Sequence, residues 1–240
     1  QYVEAMREGR WMHTGQPLIF SRDQKLIDGQ NRLLAVIKSG VSCRFLCVFG
    51  AAPDVFPCID VVAPRRTHDG LEILRVSNAK TVAASVRWIR LFQTKTVKLR
   101  TIFQVWQVVK FYGEMDASLL EISARIGKKV ANKSPNSGKP PESLCSALYY
   151  IFSGIDQRVC DDFFEAWSSG TVRGRYAGIG RVTRHLQEIK SRTGFRVHDV
   201  VRAALVVRAW RSALLNIPLD PSELVWSTVE HFPEIEGYEP

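Results

Sequence analysis

Residues 26–40 read LIDGQNRLLAVIKSG, and the fold of the N-terminal part turns on them. A strand over Lys25 to Asp28 ends at Asp28, and Gly29 supplies a tight turn. Asn31 to Ser39 then carries Leu33, Leu34 and Ile37 at helical spacing before Gly40 closes the helix. A strand that passes through a glycine into a helix start presents free backbone N–H groups and the positive end of the helix dipole to an anion. Gly29 lets a ligand approach the backbone, Asn31 can donate from its amide, and Arg32 can bind two oxygens at once. Asp28 is a candidate to orient a metal, a hydroxyl or Arg32, and Gln30 stands beside it as a second catalytic candidate. The same residues also suit a plain turn in which Arg32 pairs with a neighbouring carboxylate and nothing binds.

Working outward, Pro17 to Ser21 reads as a strand and Arg22 to Gln24 as a turn, while Val41 to Phe49 and Cys58 to Val62 return to strand character. Beyond Thr67 the strand signals fade. Helical periodicity then predicts helices near 68–76, 78–93, 101–113, 118–132, 142–153, 157–169, 180–193 and 198–215. Ser118 and Glu121 have capping-box spacing, Asn78 suits an N-cap, and Gly113, Gly154, Gly170 and Gly194 stand where helices should stop. The expected fold class is therefore α+β, with a small domain over 1–75 followed by a mainly α-helical domain over 76–240. Residues 134–141, SPNSGKPP, read as a linker.

The 240 residues carry 33 Lys plus Arg and 24 Asp plus Glu, a net charge of +9, and the excess is local. Residues 122–212 hold 16 basic and 7 acidic side chains, whereas from Ile217 onward there are six acids and no Lys or Arg. A basic region that faces polyanions, followed by an acidic tail, is the expected arrangement. Five cysteines without zinc-type spacing imply packed thiols in a reducing, cytoplasmic setting, with Cys43 and Cys47 on one strand face. No metal site is expected. No apolar run reaches the length of a membrane span, so no membrane partner is expected either. The chain opens at Gln1 already in a helical pattern, which predicts further residues upstream.

Gly9-Arg10-Trp11, then Gly15, Pro17, Ile19 and Phe20, then Asp28-Gly29-Gln30-Asn31-Arg32-Leu33, form an ordered set. After them come a strand-like run and a D-x-x-x-x-R segment from Asp60 to Arg65, with Arg66, Thr67, Asp69 and Leu71 following. This set resembles the DGQHR-containing ParB/sulfiredoxin superfamily of phages and mobile elements, over roughly residues 1–75. The resemblance implies a ParB/sulfiredoxin-like N-terminal domain in which the G-x-x-R step, here Gly29 to Arg32, holds nucleotide phosphate. It implies ATP or CTP as ligand, with or without Mg2+, in a protein associated with phage or mobile-element DNA in the bacterial cytoplasm. Hydrolysis or phosphoryl transfer is the activity it suggests. The alternative is a non-enzymatic DNA- or RNA-binding regulator or a degenerate interaction module. One departure separates this chain from the pattern: the usual His is Asn31, which keeps a hydrogen bond but cannot titrate near neutrality. The sulfiredoxin-type catalytic Cys is absent from the motif, so sulfinic acid reduction is not expected.

Arg65 and Arg66 follow Pro64 and suit a second anion contact, and Thr67 suits the cap of the next helix. In the basic half, residues 172–184 (VRGRYAGIGRVTR) interleave Arg173, Arg175, Arg181 and Arg184 with glycines and Tyr176. Arginine can bind phosphate there, Tyr176 can stack on a base, and Gly178-x-Gly180 can cradle a phosphate. A solvated basic face is the competing reading. Residues 119–127 faintly match a helix-turn-helix through Ile122, Ala124 and Gly127. Trp106, Trp167 and Trp210 lie on apolar helix faces and read as core.

Overall fold

The computed structural model describes residues 1–52, 66–97, 103–133, 140–195 and 197–239. The strand expected over Cys58 to Val62, Asp60, Arg65 and residues 134–139 of the expected linker lie outside the described residues. The chain divides into two compact units, Gln1–Pro64 and Arg65–Pro240. Its content is mixed, with a small sheet in the first unit and helices throughout the second.

The first unit holds α1 (Tyr2–Arg7), β1 (Leu18–Ser21), β2 (Leu26–Asp28), α2 (Gln30–Ser39) and β3 (Cys47–Ala51). The strands form one sheet in the order β2-β1-β3, with β1 antiparallel to β2 and parallel to β3. Gln24, in the left-handed region at φ 61°, turns the β1–β2 hairpin. Helix α2 is the crossover between β2 and β3, and Gly40 at φ 71° ends it. Met6 of α1 is buried, and Arg7 Nη2 donates to the Lys38 carbonyl at the end of α2 (2.8 Å). Trp11 sits edge-on to Tyr2 and beside Phe45.

The strand expected over Val41 to Phe49 is shorter than its apolar pattern suggests. Pairing starts only where Leu18 N–H donates to the Leu46 carbonyl, because β1 offers four residues and none lies opposite 41–45. Cys43 is therefore off the strand, and Cys47 is exposed on it, so the two do not share a packed strand face.

The second unit contains α3 (Asp69–Ile73), α4 (Ala79–Gln93), α5 (Val105–Gly113), α6 (Ala117–Lys133), α7 (Glu142–Ile155), α8 (Gln157–Ser169), α9 (Ala177–Thr193) and α10 (Asp199–Leu215). Asp156 starts α8 by accepting from Val159 N–H (2.9 Å), and Gly170 and Gly194 end α8 and α9 in the left-handed region. Two cap expectations fail. Asp116, not Ser118, accepts from Leu119 N–H at the start of α6, and Asn78 precedes α4 at φ 54° with no side-chain cap bond.

The core runs along α7 and α10, where Trp210 stacks on Phe152 at 4.2 Å and Phe163, Phe164 and Trp167 of α8 close over them. Trp167 and Trp210 are buried as expected and Trp106 is half-buried. Gly127 lets α6 cross α7 closely, since a Cβ there would lie 2.4 Å from the Glu142 carbonyl oxygen.

The acidic segment after α10 is anchored by its apolar residues while most of its acids stay exposed. Leu219 and Trp226 are buried, and Phe232, Ile235 and Tyr238 lie against the core. Arg208 Nη1 donates to the carbonyls of Glu223 and Val225 (both 2.8 Å), while Arg211 faces Glu223 and Glu236. No helix among the described residues is long and apolar enough to cross a membrane.

Candidate functional site

The turn between β2 and α2 is built around a glycine whose backbone conformation and neighbours disfavour a side chain. Gly29 has φ 103°, and a Cβ there would fall 2.3 Å from Leu18 Cδ2 of β1. The chain thereby swings from the sheet directly into α2. The Gly29 carbonyl accepts from both Arg32 and Leu33 N–H groups (3.0 Å each). Gln30 and Asn31 are exposed, and nothing among the described residues accepts from their amides. No acidic side chain lies in the first turn of α2, and no side chain caps it. The positive end of the helix is left to solvent.

Arg32 does not point into solvent with Gln30 and Asn31. It is 8% exposed, its Nη2 donates to Asp28 Oδ2 at 2.7 Å, and its Nη1 donates to the Gln16 carbonyl at 2.8 Å. Asp28 and Arg32 therefore lock the turn across one helical step, the arrangement that the plain-turn reading allowed. Asp28 Oδ1 accepts from nothing among the described residues, and the Asp28 side chain is partly exposed. Gln16 was not singled out in the sequence, because a backbone carbonyl carries no residue signature.

Arg66 and Thr67 belong to the second unit, and Arg65 is outside the described residues. Thr67 does not cap α3. Asp69, the first residue of that helix, reaches back to accept from Arg66 N–H at 2.6 Å, which leaves Thr67 in a turn.

The basic segment 172–184 is divided between solvent and structure. Arg173 and Arg184 are exposed, with no partner among the described residues. Arg175 donates from Nε to the Ala213 carbonyl (2.9 Å) and from Nη2 to the Leu214 carbonyl (3.1 Å), closing the C-terminal end of α10. Arg181 Nη1 donates to the Leu219 carbonyl at 2.7 Å. Tyr176 donates to Asp162 (3.1 Å) rather than standing free for stacking. Gly178 and Gly180 lie inside α9, not in a phosphate loop. A Cβ at Gly178 would sit 3.2 Å from Ser212 Oγ of α10, and one at Gly180 would sit 2.3 Å from Val172.

No protein-family model, no curated protein and no solved structure matches the chain. The faint helix-turn-helix match at 119–127, which the linker-like residues after it already disfavoured, has no counterpart, since α6 is one continuous helix through Gly127. Among the described residues no group of three or more His, Cys, Asp or Glu side chains could hold a metal by itself. Burial pushes the Cys145 and Cys160 thiols well above the ordinary range, so neither is a ready nucleophile.

Proposed function

We propose that the first unit binds the phosphate end of a nucleoside triphosphate, ATP or CTP, at the β2–α2 turn, as its resemblance to the ParB/sulfiredoxin superfamily implies. The observation that carries this reading is the uncapped start of α2, where the exposed Gln30 and Asn31 have N–H groups without an acceptor among the described residues, beside a glycine in the left-handed region. Gly29 and Asn31 are the phosphate contacts. Arg32, held by Asp28 and the Gln16 carbonyl, positions the turn. Magnesium, where it takes part, would be held by the Asp28 carboxylate together with ligand phosphates and would neutralise phosphate charge there. Gln30 is the remaining polar side chain able to orient a water. Without a titrating His at position 31, any turnover rests on positioning and charge neutralisation.

The second reading is a nucleic-acid-binding regulator, in keeping with an association with phage or mobile-element DNA. One observation favours it: Arg125, Lys128 and Lys133 are exposed on α6, and residues 122–133 contain no acid. Isothermal titration with ATP, CTP, GTP and UTP, with and without Mg2+, combined with phosphate-release assays, tests the first reading. Binding of CTP or ATP that is lost in Asn31→Glu supports it. No binding of any triphosphate overturns it. DNA and RNA titrations at two salt concentrations test the second reading through the salt slope.

A further inference from the structure

The second unit contains a cavity of about 330 Å³ where the start of α9 meets the segment leaving α10, lined by Arg175, Ala177, Arg181, Ser212, Asn216 and the stretch 217–219. Two arginines are among its lining residues, and no lining residue is acidic. The contrast with the cavity of about 650 Å³ beside α7 is plain, since that one is lined by Glu234, Glu236 and Glu239.

Each arginine is fixed by one edge and open at another. Arg175 uses Nε and Nη2 on the Ala213 and Leu214 carbonyls, and Arg181 uses Nη1 on the Leu219 carbonyl. Arg175 Nη1 and Arg181 Nε and Nη2 remain as donors, held by groups that fix the direction of each fork. Helix α9 has 17 residues and no acid in its first turn; a 3-10 turn over Gly174–Tyr176 leads into it and takes the Ala177 N–H on the Gly174 carbonyl, so the helix adds its dipole here but no free N–H from Ala177. The nearest acid in sequence, Asp220, is turned to its own cap, where it accepts from Ser222 N–H and Oγ. Carbonyls alone satisfy the fixed edges. The positive charge of the cavity has no counter-charge in its lining.

We infer that this cavity is a second anion site, separate from the β2–α2 turn, which takes a phosphate-bearing small molecule between Arg175 and Arg181. Its volume is at the lower end for small-ligand cavities, which fits a phosphomonoester or pyrophosphate group rather than a polymer. Ile217, Pro218 and Leu219 supply an apolar wall for the body that carries the phosphate.

The test is calorimetric titration of the full chain with inorganic phosphate and pyrophosphate, against chloride at equal ionic strength. The proteins compared are wild type, Arg181→Gln, Ala177→Glu and Asn31→Glu. Arg181→Gln should raise the dissociation constant about tenfold, the effect of losing one charge-assisted contact. Ala177→Glu places a carboxylate in the cavity at a helix start that favours it, so the fold is kept while binding is lost. Asn31→Glu should leave this site unchanged, which separates it from the nucleotide reading. Equal binding by wild type, Arg181→Gln and Ala177→Glu, or no preference for phosphate over chloride, overturns the inference.

Discussion

Arg32 and Asp28 form an ion pair of 2.7 Å across the β2–α2 turn, with the arginine side chain 9% exposed and the aspartate 25%. Gln30 and Asn31 between them are exposed, so the charged residues of the motif brace the turn while the neutral ones meet solvent.

Asp28→Asn should lower stability by about 1 to 2 kcal/mol, because a charge-assisted bond at a half-buried site is lost while the amide keeps the shape. Urea unfolding measures the loss. Triphosphate turnover measured on the same variant separates roles. A fall in turnover far beyond the fall in folded fraction makes Asp28 a participant in the chemistry, and an equal fall leaves it a structural partner.

Gly29→Ala should cost about 2 to 4 kcal/mol, since it combines a left-handed backbone with a Cβ placed 2.3 Å from Leu18. Thermal melting of the full chain reads this. A loss below about 0.5 kcal/mol would mean that β1 can move away from the turn.

Gly127→Ala should destabilise the helical unit by about 1 to 3 kcal/mol by forcing α6 away from Glu142 and Ser146 of α7. Denaturant midpoints of Gly127→Ala and the control Gly113→Ala distinguish close packing from any general effect on helices. A Cβ added at Gly113 would meet nothing within 4 Å.

Arg208→Ala should release the segment after α10, because Arg208 holds the Glu223 and Val225 carbonyls together. Hydrogen exchange over residues 223–232 should quicken while α7 exchange stays slow. Uniform change across both regions would contradict the local role.

Tyr149 donates a 2.6 Å hydrogen bond to Asp161, and burial followed by that bond pushes its hydroxyl up to about 12. An unfolded tyrosine ionises near 10. The folded state therefore holds its proton longer, and the contribution to stability is full below about pH 10 and lost as pH rises toward 12. Alkaline unfolding should be steep across that window in wild type and shallower in Tyr149→Phe, followed by circular dichroism.

Local signals were legible from the residues alone wherever one segment was enough to produce them. Helices α2, α8 and α10 fall where apolar spacing, Gly40, Gly170 and the N-terminal polar residues place them, because helix formation depends on neighbours within four positions. The polar turn at Asp28 and Gly29 was readable for the same reason. The pairing of Arg32 with Asp28 was one of the two readings the residues allowed, but its second acceptor, the Gln16 carbonyl, and what Arg175 and Arg181 do were not legible. The acceptors of Arg175 and Arg181 are the carbonyls of Ala213, Leu214 and Leu219, some 38 or 39 residues away. Every residue carries such a carbonyl, so the sequence marks the donor and leaves the acceptor unmarked. Gly127 shows the same limit, since a missing side chain reads equally as a turn or as a close crossing until α7 is seen against it. Only tertiary packing decided which arginines were committed to backbone and which, such as Arg173 and Arg184, stayed open to solvent.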